Sequence, residues 1–281
     1  MTHMQDRPER LDGRFRTSDG QEIRYALDDF APPWKPAETI LLLHANMGSM
    51  ARFRAWVPHL AHAYRVVRWD MRGHGGSSLP APDAPLSIGR LGQDVVELLD
   101  HLGLDRVHLA GSSTGGIIAM HTAIAHPDRV ATLASFAALP GLANASGRAA
   151  YEAWTRRLES EGVRALLQPT LDHRFDMAGT DRRLMEWWVD VSARTDARFA
   201  AHMLRMLGGF DLSDQLSRII APSLFVVPDA DPDQSPENYA KLRAVPNHRF
   251  VVLEGARHNI TDAVPERCAA ELLAFLAGQA S

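Results

Sequence analysis

A serine sits in Gly111-Ser112-Ser113-Thr114-Gly115-Gly116, after the apolar run Val107-His108-Leu109-Ala110 and before Ile117-Ile118-Ala119-Met120. A G-x-S-x-G stretch between a strand and a helix is the sequence form of a nucleophile elbow, a turn that lifts a hydroxyl above the sheet edge. Ser113 takes the apex, because it has Gly111 and Gly115 two residues to either side. Ser112 would need the bulkier Thr114 in that role. A serine hydroxyl is a weak nucleophile until a base removes its proton. A histidine titrates in the useful range and can hand the proton on to a leaving group. A carboxylate fixes the tautomer of that histidine and stabilises its cation. The chemistry therefore asks for two more groups on the same edge of the sheet. It also asks for amide donors to the oxyanion, and the N–H of Thr114, opening the helix, supplies one.

Both missing groups stand in loops after late apolar runs. Pro228-Asp229-Ala230-Asp231-Pro232-Asp233 follows Leu224–Val227, and Glu254-Gly255-Ala256-Arg257-His258-Asn259 follows Arg249–Leu253. Loops at the C-terminal ends of parallel strands converge on one face, where ligands bind. Ser113, an aspartate among 229, 231 and 233, and His258 then form the order Ser…Asp…His.

The elements that must position them read as alternating strands and helices. Arg14–Thr17 and Gln21–Ala26 flank Ser18-Asp19-Gly20, a hairpin turn signal. Thr39–His44 is an apolar run without alternation, as in a sheet covered on both faces, and Tyr64–Trp69, Val107–Ala110, Val130–Leu139, Ser223–Val227 and His248–Leu253 read as further strands. Helical spacing falls on 52–63, on Leu91, Val95, Leu98, Leu99 and Leu102, on 114–125, on 236–244 and on 262–277. Between Pro140 and Pro222 the strand signal stops and helical patterns take over, over a stretch far longer than the dozen or so residues a crossover needs.

With these pieces in place, the chain resembles the α/β-hydrolase superfamily from Arg14 to Leu276. The likeness rests on L-L-L-H at 41–44, D-M-R-G-H-G-G-S at 70–77, G-S-S-T-G-G at 111–116, D-A-D-P at 229–232 and G-A-R-H at 255–258. It implies a mostly parallel eight-stranded sheet with helices on both faces. Residues 1–140 and 222–281 would form the core, and 141–221 an inserted helical cap. It selects Asp231, before the proline, as the acid, and puts the second oxyanion donor on the backbone N–H of Asn46. His44, His74, Asp70 and Arg72 are expected to shape loops, the last two bracing the elbow. The family usually carries His-Gly where this chain has His44-Ala45, which leaves the shape of that loop in question.

The activity implied is hydrolysis of a small or medium carboxylic ester or lactone through an acyl-enzyme on Ser113. Rivals on the same triad are carbon–carbon bond hydrolysis of a meta-cleavage diketone, disfavoured by Ser112 where such relatives tend to carry Asn, and a cofactor-free perhydrolase. A hydrolase-like protein that only binds a ligand is the reading outside enzymology. Dehalogenation relies on Asp at the nucleophile position in this superfamily. No metal or organic cofactor is implied. Trp187, Trp188, Met203 and Met206 are candidates for lining a pocket, against the plainer reading that they form the cap's own core.

Composition bounds the partners. The 281 residues carry a net charge of −4, 46% apolar and 23% charged residues and one cysteine. That argues against nucleic acid or an anionic membrane as partner. It also rules out an intramolecular disulfide or a thiolate metal cluster, and Cys268 falls on an apolar helical stripe with Leu272, Phe275 and Leu276. The polar Met1–Leu11 lacks a signal peptide's apolar core, and no apolar run is long enough to span a bilayer. The expected location is the cytoplasm, with a homodimer left open.

Overall fold

The computed structural model describes residues 10–141, 145–232, 234 and 236–279. Asp233 and most of the polar N-terminal stretch lie outside the described residues.

Eight strands form one sheet in the order β1-β2-β4-β3-β5-β6-β7-β8. They are β1 (Arg10–Arg16), β2 (Glu22–Asp28), β3 (Thr39–Leu43), β4 (Arg65–Asp70), β5 (Val107–Ser112), β6 (Val130–Phe136), β7 (Ser223–Pro228) and β8 (His248–Leu253). β1 pairs antiparallel with β2, and β2 with β4. All remaining pairings are parallel. The expected hairpin closes through Gly20 at φ 89°, a backbone region that favours glycine. Every residue of β3, β5 and β7 is buried, which is why those runs show no alternation.

The helices are α1 (Val57–Leu60), α2 (Ile88–His101), α3 (Thr114–Ala125), α4 (Ala145–Leu167), α5 (Leu171–Arg174), α6 (Arg182–Ser192), α7 (Ala197–Gly208), α8 (Pro236–Ala240), α9 (Ile260–Ala263) and α10 (Pro265–Ala277). They cover the two faces of the sheet over two apolar clusters. One cluster unites β2 and β4 with α2 and α3 and with the inner faces of α4, α6 and α7. The other sets β3, β6 and β7 against α1 and α10, with Cys268 fully buried in it.

Three expected helices are shorter than their apolar spacing suggests, among them 236–244, where α8 gives way to a 3-10 turn at Lys241–Ala244. Residues 52–63 fold as a 3-10 turn at Met50–Phe53 followed by α1, and 262–277 divides into α9 and α10. Pro58 and Pro265 each stand in the first turn of the helix they open. Proline lacks the N–H that a helix interior requires and is tolerated at the start.

Helices α4 to α7 all lie between β6 and β7. Pro140 C=O accepts from Leu212 N–H at 3.0 Å, and Gly141 bridges to Asp211, so the two ends of this segment meet. A Cβ on Gly141 would stand 2.3 Å from the Asp211 Cα, so this close approach needs glycine.

Candidate active site

Ser113 follows β5 directly and adopts φ 49°, ψ −116°, a strained conformation for a residue with a Cβ. Crowding explains the residues around it. A Cβ on Gly111 would lie 2.2 Å from Gly115 O, and one on Gly115 would lie 2.1 Å from Leu43 O. Both contacts are with backbone, so neither neighbour can swing aside. The glycines let β3, β5 and the start of α3 pack within one turn. Ser112 points elsewhere: it is buried, and its hydroxyl pairs with Thr261 Oγ1 at 3.0 Å.

Three loop ends converge on Ser113. His258 Nε2 is 3.3 Å from Ser113 Oγ, and His258 Nδ1 is 2.7 Å from Asp231 Oδ2. With a carboxylate opposite Nδ1, that nitrogen carries the proton and Nε2 is left to accept from the serine. Tyr239, on α8, donates its hydroxyl to the same Asp231 oxygen at 3.0 Å. Asp231 is buried. Asp229 is used differently, accepting the Gly255 N–H at 2.7 Å. Ala230 and Arg257 add two more bonds between the loops, Ala230 N–H to Ala256 O at 3.1 Å and Arg257 Nη1 to Ala230 O at 3.0 Å. Asp229 thus ties the loops together, and Asp231 is the aspartate that meets the histidine.

Thr114 opens α3, so its N–H has no intrahelical acceptor. Facing it across the cavity is the loop from His44 to Ser49. His44 Nδ1–H donates to Ala45 O at 2.8 Å, and its Nε2 accepts the Met71 N–H at 3.0 Å. His74 Nδ1–H donates to Arg72 O at 3.0 Å, and its Nε2 accepts the Met47 N–H at 3.1 Å. The His44 ring thus donates once and accepts once, as a neutral imidazole does, while His74 Nε2 also lies 3.0 Å from Asn46 Oδ1. Burial pushes His44 down to about 4; burial and the neighbouring His44 push His74 down to about 3. The residue with positive φ in this loop is Met47, at 56°. Ala45 does not adopt that conformation, so the departure from glycine needs no distortion there. The Asn46 side chain is engaged with the protein: its Nδ2 donates to Ala200 O of α7 at 3.3 Å, and its Oδ1 accepts the Met47 N–H at 2.9 Å.

Asp70 and Arg72 hold other parts than the elbow. Asp70 accepts the amides of Met50 and Gly76 at 2.7 and 2.8 Å, and burial raises its carboxyl. Arg72 pairs with Asp94 of α2, Nε to Oδ2 and Nη2 to Oδ1 both at 2.6 Å, and with Asp19 of the first hairpin. They fix the 71–78 loop, the His44 loop and the hairpin against one another.

The cavity above Ser113 has a core wall and a helical wall. Ala45, Asn46, Met47, Thr114, Ile117 and Leu139 belong to the first; Tyr151, Trp154, Arg174, Trp188 and Leu204 belong to the second. Of the four expected lining residues, Trp188 lines it and the other three do not. Adjacent residues on a helix point about 100° apart, so Trp187 faces away when Trp188 faces in. Met203 is fully buried in the core beneath α7, and Met206 packs against that core from its edge. Their neighbour Leu204 turns to the cavity instead.

Several lining groups carry no motif in the sequence. Arg52 pairs with Asp262 through both nitrogen–oxygen contacts, Nε to Oδ1 at 2.9 Å and Nη2 to Oδ2, with both side chains buried. Its guanidinium lies 5.3 Å over the Trp188 ring. Arg174 lies 5.8 Å from the rings of both Trp154 and Trp188. Three of the lining residues also carry a buried side-chain atom with no hydrogen-bond partner among the described residues: Trp188 Nε1, Asn259 Nδ2 and Gln234 Oε1. Asn259 had one signal available, its place next to His258; Arg52, Arg174 and Tyr239 had none. Among the described residues, no group of three or more His, Cys, Asp or Glu is arranged to hold a metal ion, and no helix is long and apolar enough to cross a membrane.

Known proteins resemble this chain over most of its length. A Caulobacter sp. (strain K31) protein provisionally named a carbamate hydrolase is 28% identical over 86% of this chain and 91% of its own. The 3-oxoadipate enol-lactonase 1 of Acinetobacter baylyi is 29% identical over 63% of this chain and 66% of its own. Among solved structures, the enol-lactonase of Burkholderia xenovorans LB400 superposes with a TM-score of 0.86 at 24% identity, covering 94% of this chain and all of that one. The α/β hydrolase fold family matches residues 38–262. Sheet order, elbow and family match agree, and the chain belongs to the α/β-hydrolase family as a hydrolase.

Proposed function

We propose that the protein is a serine hydrolase of small or medium carboxylic esters or lactones, with α4–α7 serving as a cap over the site. One observation carries the reading: His258 stands between Ser113 Oγ, at 3.3 Å, and Asp231 Oδ2, at 2.7 Å. In the first step Ser113 Oγ attacks the carbonyl carbon while its proton passes to His258 Nε2. The charge that develops on the carbonyl oxygen is taken by the backbone amides of Thr114 and Asn46. His258 then protonates the leaving alkoxide, and in a lactone that alkoxide stays attached as the far end of the acyl chain. Water, deprotonated by the same nitrogen, releases the acid and frees Ser113. Asp231 keeps Nδ1 protonated throughout, and Tyr239 steadies the carboxylate.

The two Acinetobacter baylyi relatives named enol-lactonases, 29% and 27% identical, support the lactone side of this reading. A second reading, attack on a carbamate carbonyl, is favoured by the Caulobacter relative's name and by its coverage of the chain. It would use the same groups.

The test has two parts. A fluorophosphonate probe is expected to label the wild type and to leave Ser113→Ala unlabelled. Labelling elsewhere, or none, defeats the assignment of the nucleophile. Turnover is then measured on p-nitrophenyl esters, lactones, carbamates and ring-cleavage diketones, with Asp231→Asn and Asp229→Asn in parallel. Activity confined to the carbamates or the diketones overturns the ester reading. A larger loss in Asp229→Asn than in Asp231→Asn moves the acid.

A further inference from the structure

Two cavities meet at one pair of side chains. The cavity above Ser113 has a volume of about 90 Å³. A second, of about 550 Å³, lies between α4 and α7. Tyr151 of α4 and Leu204 of α7 line both. Tyr151 holds its ring 5.7 Å from that of Trp154, a wall residue of the inner cavity. On its other side, a Cβ built on Gly208 would stand 3.4 Å from the Tyr151 Cβ, and Gly208 lines the outer pocket. The backbone of α7 therefore comes close to Tyr151 at this point. Leu204 lies one helical turn before Gly208, on the same face of α7, and is 4% exposed.

The sizes decide what each space holds. A cavity of roughly 150 Å³ takes up one benzene ring, so the inner cavity has room for about four non-hydrogen atoms. Sites for whole small molecules run to roughly 300–1,000 Å³. The outer pocket reaches that range and the inner cavity does not. For a chain that outgrows the inner cavity, the adjoining space lies past Tyr151 and Leu204. That space suits an apolar chain: Gly208 and Gly209 leave its floor bare, and the aliphatic stems of the exposed Arg156 and Arg205 border it.

We infer that Tyr151 and Leu204 set chain length, as a partition between the catalytic cavity and the pocket between α4 and α7. The arm of the ester that enters the cavity is short, and the outer pocket receives a longer arm once the partition is cut back. This rests on the ester or lactone reading and narrows its ester side to substrates with one arm of about four non-hydrogen atoms or fewer. Leu204 selects by exclusion, since a filled apolar wall has no room for a further methylene without strain.

Two ester series test this, followed by pH-stat: ethyl esters from acetate to octanoate, and acetates from ethyl to octyl. The first varies the acyl arm and the second the alkoxy arm, so the series that responds identifies the arm. In one of them the wild-type kcat/KM is expected to fall by about tenfold or more between the four-carbon and six-carbon members, the effect of added methylenes that do not fit. Leu204→Ala removes an isopropyl group from the wall and is expected to raise the six-carbon to four-carbon ratio by about tenfold in that series. Gly209→Phe, added to Leu204→Ala, fills the outer pocket and should cancel the gain. Position 209 accepts a side chain, with φ −99° and no neighbour nearer to a new Cβ than Met206 O at 3.8 Å. Circular dichroism melts confirm folding, and Leu204→Val, which loses a methylene, replaces an unfolded Leu204→Ala with a gain of the same sign. A flat wild-type profile in both series, an unchanged ratio in a folded Leu204 variant, or a gain that Gly209→Phe leaves intact overturns the partition. If no ester of either series is hydrolysed, the ester reading falls, and calorimetry still judges the partition. Binding of free octanoate that tightens about tenfold in Leu204→Ala, with butyrate unchanged, upholds it; unchanged octanoate binding overturns it.

Discussion

The two buried histidines beside the loop after β3 make stability depend on pH in a way their depressed pKa values quantify. His44 and His74 are buried and neutral, with pKa values depressed from 6.5 to about 4 and about 3. In the unfolded chain both titrate near the ordinary value. The folded pKa values lie below the unfolded ones, so as pH falls through 6.5 the unfolded state takes up protons that the folded state refuses. Stability is then lost on acidification, down to the folded pKa values. Between pH 8 and pH 5 each histidine removes about 2 kcal/mol, so the pair removes about 4 kcal/mol, a large part of a typical 5–15 kcal/mol. Both rings are still neutral in the folded protein at pH 5, so their mutual repulsion does not enter that sum. Asp70 and Asp94, whose carboxyls burial raises, act in the opposite sense. Asp19, held low chiefly by its hydrogen bond to Arg72, begins to act only below its ordinary range near 3.8. The histidine contribution is therefore isolated by difference. Urea denaturation of wild type and His74→Gln at pH 8 and pH 5 should show a pH-induced loss smaller by about 2 kcal/mol in the variant. Equal losses in the two proteins would refute the reasoning, as would NMR titration of the His74 ring near 6.5.

Two further substitutions probe the scaffold. In Gly115→Ala the new Cβ would lie 2.1 Å from Leu43 O and 2.8 Å from His44 O, so β3 or the elbow must shift; the fluorophosphonate labelling rate should fall by about a hundredfold or more, since small misplacements at a reacting centre have that effect, and wild-type labelling would show that the elbow tolerates the methyl. Arg52→Met leaves Asp262 buried without its cation; it should cost about 3–5 kcal/mol in denaturant unfolding, much of it restored by adding Asp262→Leu, and failure of the second change to restore stability would show that Arg52 acts through its packing on Trp188.

The strands and the elbow were legible because each is governed by a local rule. β3, β5 and β7 are buried on both faces, and that alone produces unbroken apolar runs. The glycines around Ser113 answer contacts with Leu43 O and with one another, so backbone crowding is written into residue type. Helix spacing carries less information. It identifies which face is covered but not what covers it, so Trp188, Leu204, Met203 and Met206 could not be sorted into cavity and core in advance. Charged groups are harder still. Arg52 meets Asp262 across 210 positions of chain, and nothing near either residue announces the other. Prolines 58 and 265 were visible, yet the apolar stripe through them reads as continuous, because periodicity does not register a missing N–H.

The helical segment between β6 and β7 contributes more than a wall. Asn46 reaches from the loop after β3 to Ala200 O of α7. The amides of His258 and Asn259 donate to His173 O at 3.4 Å and Arg174 O at 3.0 Å, at the end of α5. Arg52, whose carboxylate partner lies just beyond His258 on α9, stacks on Trp188 of α6. Three of these helices therefore hold pieces of the site that come from the sheet: the loop after β3, the loop after β8 and the ion pair behind it. A substitution that moves α5 or α7 shifts His258 or the loop after β3 together with the pocket wall. Under the proposed mechanism, selectivity and rate are then mechanically joined. Changes of pocket shape should be sought first at Leu204, an apolar residue of α7 that lines the cavity.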